Sequence, residues 1–315
     1  MQENAVRLFN KVRNFSSAAV AAAIFLSILF SGLLGKESMG WQISFAIVAL
    51  AIGIPHGALD HLITLPKNAP KKMALFVLIY VAVAVIAVIG ILKFNIIGFI
   101  LVLLMSAAHF GIGDAAFINE IDKRSSARAK LLRFLYIPAA GFTPVFIPLV
   151  NSASTDALAK VNSSLINWHQ GLDQEILVVV TSFAVISVVA LLITRRVREA
   201  IDLMLLLALA LFTPPLIAFA VYFGCWHAMR HTARLTLSLP LTKQNLSEGK
   251  LNKAFLNAVI PGLPALVGTF AVAGGLALSG KDFTDEFFWM ALVVVWALTV
   301  PHMVVTAKLD RAALT

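Results

Sequence analysis

Four short runs carry most of the chemistry available to this chain. They are Pro55-His56-Gly57-Ala58-Leu59-Asp60-His61, His109-Phe110-Gly111-Ile112-Gly113-Asp114, Trp226-His227-Ala228-Met229-Arg230-His231 with Arg234 beyond it, and Pro301-His302. Each sits inside an apolar stretch, and together they hold six of the seven histidines. Ionisable groups are costly in such stretches and mark ion sites, relays or cofactors. His227 and His231 are four apart, so on a helix they share a face and can grip one ion. His56 and His109 complete a set from two other helices. Asp60 and Asp114 follow them by about one turn and are expected to accept the Nδ1–H of a ligating imidazole, fixing its tautomer. Gly57, Gly111 and Gly113 permit close helix approach or local unwinding beside the site. Imidazole serves iron, copper, nickel and zinc alike, so the donor type does not choose the metal. Arg230 and Arg234 are read as charge-balancing partners of Asp60 or Asp114.

The elements that position these residues follow from composition. Of 315 residues, 60% are hydrophobic and 13% charged, with a mean hydropathy of +0.90. A soluble domain carries roughly 45–50% apolar and about 25% charged residues, so lipid is the solvent this chain is built for. The net charge of +9 falls in short basic clusters between apolar runs. That pattern is a topology signal and a headgroup contact rather than a nucleic-acid surface. Cys225 is the single cysteine, which excludes an internal disulfide and a multi-cysteine metal site; it is read as a packing residue. The basic start (Arg7, Lys11, Arg13) and the apolar run from Ala18 to Leu34 are longer than a cleaved signal peptide requires, so an uncleaved first span is expected.

Windows long enough for the ~30 Å hydrocarbon core fall near 17–35, 40–65, 73–92, 94–118, 131–150, 174–194, 215–238, 254–279 and 285–308, with a shorter run at 199–213 before Pro214-Pro215. Backbone satisfaction in lipid makes the fold all-α. Counting 199–213 gives a polytopic bundle of about ten spans, with cytoplasmic N- and C-termini and residues 1–315 as one integral membrane domain. Nineteen Lys and Arg then lie inside and only Lys36, Lys93, Lys160 and Lys281 outside, as the positive-inside rule requires. The 151–173 connection is the longest outer loop and is expected along the interface, with His169 an ordinary interfacial residue. His56, His109, His227 and His302 all lie on spans that run inward. They fall roughly 12–17 residues past the span starts, or about 18–26 Å deep. Four helices thus bring imidazoles to one layer.

Three classes fit such a layer: a metal-dependent enzyme, a b-type haem protein with paired axial histidines, and a proton-coupled transporter with a His/Asp/Arg relay. A membrane di-iron desaturase wants more histidines, clustered at the cytoplasmic face. An intramembrane zinc protease wants H-E-x-x-H, which is absent. The motifs Pro55-His56-Gly57-x-x-Asp60-His61, His109-Phe110-Gly111-x-Gly113-Asp114, Trp226-His227-x-x-Arg230-His231 and Pro301-His302-Met303 together resemble the Brp/Blh family of membrane β-carotene 15,15′-dioxygenases. The likeness covers nearly the whole chain in span count and motif order. It implies cleavage of all-trans-β-carotene by O₂ at the central double bond, giving two all-trans-retinal. It also implies a non-haem Fe(II) cofactor, a bacterial or archaeal cell membrane, and a rhodopsin that takes up the retinal. Carried over by motif, the iron ligands are His56, His109, His227 and His231, with His61 and His302 as supporting or alternative ligands. A polyene has no polar handle, so shape and aromatic contacts must orient it; Phe110, Phe223 and Trp226 are the first candidates for its tunnel.

Overall fold

The computed structural model describes residues 1–35, 39–65, 69–125, 129–154, 162–165, 167–278 and 285–315. Lys36, Lys67, Arg128, Lys160 and Lys281, used in the topology count, lie outside these residues. Every regular element among the described residues is helical, the form in which each segment satisfies its own backbone without water. The order is α1 (Gln2–Leu34), α2 (Met39–Gly57), α3 (Asp60–Thr64), α4 (Pro70–Lys93), α5 (Asn95–Asp122), α6 (Arg133–Leu149), α7 (Asp173–Ile193), α8 (Val197–Phe212) and α9 (Pro215–Val221). A π-helical turn (Tyr222–Ala228) then leads into α10 (Met229–Leu235), α11 (Pro240–Ser247), α12 (Leu251–Val259), α13 (Leu263–Leu278) and α14 (Asp285–Leu314).

Among the described residues six helical segments are long and apolar enough to cross a membrane: Gln2–Leu34, Gly40–Leu62, Pro70–Lys93, Asn95–Asp122, Asp173–Ile193 and Leu251–Ala271. The runs expected near 131–150 and 199–213 form the shorter helices α6 and α8, of 17 and 16 residues. Helix α4 shows Leu75, Leu78, Val81, Val85, Ile86 and Ile89 on its outside, an apolar face of the kind that meets a membrane or another protein. Trp168, in the long loop, is instead buried, with ring centroids 5.7 Å from Phe99 and 6.0 Å from Phe146.

The core has two apolar clusters with a polar layer between them. Val20 and Ala23 of α1, Phe99 to Phe110 of α5, Leu206 and Leu209 of α8, and Ile217 to Trp226 belong to one cluster. Leu8 to Val12, Ala115 to Ile121, Ala200 and Leu203, and Ala233 belong to the other. Where each helix crosses between clusters it carries its polar residues: Arg13, Ser16 and Ser17 on α1, His109 and Asp114 on α5, and His227, Arg230 and His231 on the helix of α9 and α10. Apolar burial on both sides thus holds the expensive groups in one plane. Close backbone approach locks the layer. A Cβ on Gly111 of α5 would sit 2.0 Å from the Ile137 carbonyl of α6, and one on Gly141 would sit 2.0 Å from that of Ala107.

Two local departures from regular helix shape the polar layer. Helix α2 stops at Gly57, and a turn at Ala58-Leu59 separates it from α3. The Tyr222–Ala228 turn carries His227 on a π-helical segment, while His231 lies on ordinary α-helix.

Candidate metal centre

Five imidazoles converge in the polar layer: His56 from α2, His109 from α5, His227 from the π turn, His231 from α10 and His302 from α14. All are buried. Ring centroids lie 4.9 Å apart for His109–His227, 5.3 Å for His56–His302 and 5.4 Å for His56–His227. They lie 5.5 Å apart for both His56–His231 and His109–His302, 5.7 Å for His231–His302 and 6.2 Å for His227–His231. His61, half-buried on α3, does not join these ring contacts. His169 stays in its loop with its ring edge-on to Trp168.

Three tautomers follow from the partners. His56 Nδ1 is 2.5 Å from the Gly53 carbonyl, which can only accept, so Nδ1 carries the proton. His302 Nδ1 lies 3.0 Å from both oxygens of Asp60 and donates to them. His109 Nδ1 faces Thr306 Oγ1 at 3.4 Å. That hydroxyl already spends its single proton on the His302 or Met303 carbonyl, so His109 donates as well. Each Nε2 is then a bare lone pair. Those of His109, His227, His231 and His302 are buried with no hydrogen-bond partner. Unpaired buried polar atoms are costly, and a cluster of imidazole nitrogens without partners is a candidate donor set for a cation. As they stand, no three His, Cys, Asp or Glu side chains among the described residues meet at ion-binding spacing. Imidazoles around one ion at ~2.0–2.1 Å have centroids about 5 Å apart, close to the 4.9–6.2 Å separations found here.

The carboxylates do not serve the histidines the sequence assigned to them. The break at Ala58-Leu59 removes the one-turn relation between His56 and Asp60, and Asp60 turns to His302, with the Tyr80 hydroxyl donating to it at 3.2 Å. Asp114 makes no bond to His109. It accepts from Arg230 Nη1 at 2.7 Å, Tyr136 Oη at 2.5 Å and Trp226 Nε1 at 3.2 Å. Arg230 pairs with Asp114, while Arg234 pairs with Asp310 rather than with either aspartate of the motifs.

Arg230 continues into a ladder that sequence reasoning missed. Its Nη2 lies 3.1 Å from Asp202 Oδ2, which also accepts from Arg13 Nε at 2.7 Å. Arg13 meets Glu199, and Arg196 bridges Glu199 and Asp122. Glu199 and Asp202 inside the apolar run at 199–213 are the available signal. Arg13, read along the chain, is one more member of the basic N-terminal tail.

Phe110 lies 4.6 Å from His227, and Phe223 5.3 Å from His56, centroid to centroid. Both therefore wall the histidine cluster with hydrocarbon. Trp226 lines the same small cavity as His227 and His231. It is fully buried, with the Arg230 guanidinium 3.5 Å above its ring, and belongs to the support of the charge ladder.

Fold and site together define a helical membrane protein built around a buried polyhistidine centre. Residues 47–310 match the family described as Beta-carotene 15,15'-dioxygenase, and the chain belongs to that family. It is similar to the Beta-carotene 15,15'-dioxygenase of uncultured marine bacterium 66A03, 27% identical over 265 residues, which is 80% of this chain and 88% of the relative. It is also similar to the Probable beta-carotene 15,15'-dioxygenase Blh of Halobacterium salinarum, 25% identical over 300 residues, or 84% and 82% of the two chains. No solved structure matches.

Proposed function

We propose that this protein cleaves all-trans-β-carotene with O₂ at the central 15,15′ double bond, giving two all-trans-retinal. It uses one ferrous ion held by His56, His109, His227 and His231. The observation that carries the reading is the cluster of buried imidazoles from separate helices, in which the Nε2 atoms of His109, His227 and His231 have no hydrogen-bond partner and the ring of His56 stands against those of His227 and His231. Family membership supplies the reaction class and the substrate. Neutral imidazoles add no charge to a ferrous ion and leave coordination positions for other groups; when bound, the ion supplies the redox chemistry by which O₂ reacts with a double bond.

The chain's own groups do the rest. Gly53 O and Thr306 Oγ1 hold the Nδ1 sides of His56 and His109, which leaves each Nε2 for the ion. Phe110 and Phe223 give a rigid polyene apolar faces to lie against, and shape must fix its register because it offers no hydrogen bond. Asp114, Arg230 and Asp202 are satisfied by one another behind Trp226, so the charge needed to hold the helices is kept off the hydrocarbon. Substrate enters sideways from the acyl chains, in a bundle of ten spans with both termini cytoplasmic, and retinal leaves through lipid toward a rhodopsin. Five closely clustered imidazoles suit a small ion better than a haem, whose plane would have to pass between them.

The test is expression in a bacterium that accumulates β-carotene, followed by extraction and chromatography for retinal. The wild type is expected to convert carotene to retinal with iron bound. Alanine at His56, His109, His227 or His231 is expected to abolish retinal and lower bound iron. A Soret band in the pure protein, or retinal formation undiminished by these replacements, overturns the reading.

A further inference from the structure

The buried charges of the polar layer are not balanced. Among the described residues five carboxylates are buried (Asp60, Asp114, Glu199, Asp202, Asp310) against four arginines (Arg13, Arg196, Arg230, Arg234). Asp114, Glu199, Asp202 and Asp310 each contact one or more of those arginines. Asp60 contacts none. Its partners are the imidazole of His302 and the hydroxyl of Tyr80, both neutral in their ordinary forms. A buried carboxylate without a counter-charge is expensive, and here the nearest place for a cation is beyond the imidazole it holds.

His302 is equipped to receive that cation. Its Nδ1–H is committed to Asp60, which leaves Nε2 a lone pair, buried and unpartnered. Its ring stands 5.3 Å from His56, 5.5 Å from His109 and 5.7 Å from His231, so it touches three of the four rings assigned to the metal. A carboxylate on the far nitrogen raises the basicity of a ligating imidazole and fixes its plane. Pro301 precedes His302 in the middle of α14. Proline has no N–H and crowds the preceding turn, so it loosens the helix beside the histidine.

Resting on the iron reading above, we propose that His302 is a fifth imidazole ligand of the metal. Asp60, itself held by Tyr80, is then the positioning carboxylate that orients His302 and supplies the local counter-charge. The two short motifs at opposite ends of the chain, Asp60 after Gly57 and His302 after Pro301, thereby act as one unit 242 residues apart in sequence.

The test compares the purified wild type with Asp60→Asn, Tyr80→Phe, His302→Gln and His302→Ala. It reads bound iron under chelator competition and the electron paramagnetic resonance line shape of the nitric oxide adduct of the ferrous protein. Asp60→Asn keeps the size and one acceptor but removes the charge, and iron retention is expected to fall roughly 10–100-fold. His302→Gln is expected to fall at least as far with an altered line shape, and Tyr80→Phe by less than either. Added imidazole is expected to restore the signal in His302→Ala, which a purely structural histidine would not allow. Wild-type retention and line shape in folded His302→Gln, or no loss in Asp60→Asn, overturns the assignment while leaving the four-histidine site standing. A wild type that retains no iron overturns both.

Discussion

A carboxylate buried against an arginine and one buried against an imidazole should fail differently when neutralised. Asp114 holds Arg230 and accepts two further donors from Tyr136 and Trp226. Asp114→Asn leaves a guanidinium in the apolar interior with only Asp202 for charge. Breaking a buried pair on one side costs about 3–5 kcal/mol, so the variant is expected to unfold at clearly lower temperature in detergent. Iron loss should then track unfolding. Asp60→Asn removes no arginine's partner, and its unfolding midpoint is expected to stay near wild type while iron is lost. Thermal unfolding followed by circular dichroism separates the two, and equal destabilisation would put both residues in one structural role. The sequence pattern assigns these aspartates the same role because each trails a histidine by one turn. That inference assumes an unbroken helix, and the turn at Ala58-Leu59 is where it fails for Asp60.

Among the elements, the π turn decides how His56 and His227 face one another. It packs on α2 at Gly224, where a Cβ would stand 1.7 Å from the Ala49 carbonyl. The neighbouring Phe223 ring fills the space beside Gly53, 2.7 Å from where its Cβ would be. Gly224→Ala must push α2 and the π turn apart, at a cost of about 1–3 kcal/mol or more for overpacking, and it moves the two elements that bring His56 and His227 within 5.4 Å. The expected outcome is a lower unfolding midpoint together with loss of iron. Gly32→Ala on α1 meets nothing within 4 Å and is expected to leave both unchanged or raise stability slightly, since glycine costs roughly 0.5–1 kcal/mol relative to alanine inside a helix. An iron-replete, wild-type-stable Gly224→Ala would show that the turn does not set the site. Much at this scale was legible in the sequence. Apolar length located the helices, and the depth of the histidines placed them in one layer. Three features were hidden: the π turn, because an inserted residue leaves no mark in a periodic pattern; Tyr80, one hydroxyl on a lipid-facing helix; and the ladder through Arg13, whose partners come together only through tertiary packing.

At the scale of the whole molecule, one end of the bundle gathers the basic segments. Asn4 donates to the Leu246 carbonyl at 2.8 Å and Lys11 to Asn252 at 2.7 Å. Arg198 reaches Asn14 at 3.1 Å. Asn119 and Arg133 donate to the carbonyls of Ala313 and Leu314. The N-terminal tail, the 119–133 region, the 195–198 turn, the 243–253 segment and the C-terminus are thus joined by contacts at a common end. Helices α4 and α5 meet instead at the single residue Phe94, beside Lys93. On the proposed ten-span topology the positive-inside rule puts the crowded basic end in the cytoplasm, and α8 would then cross despite its 16 residues so that 243–253 returns to that side. Cysteine labelling tests this directly, because Cys225 is buried and is the only thiol to remove. In a Cys225→Ala background, Phe94→Cys is expected to react with a membrane-impermeant maleimide in intact cells. Arg195→Cys and Ser247→Cys are expected to react only in inverted vesicles. Labelling of Ser247→Cys from outside with Arg195→Cys still inside would mean that α8 turns back without crossing. It would also place the N-terminal tail and α11 on opposite faces, which the bond between Asn4 and Leu246 does not allow. Reversal of all three would invert the bundle and send the basic end outward.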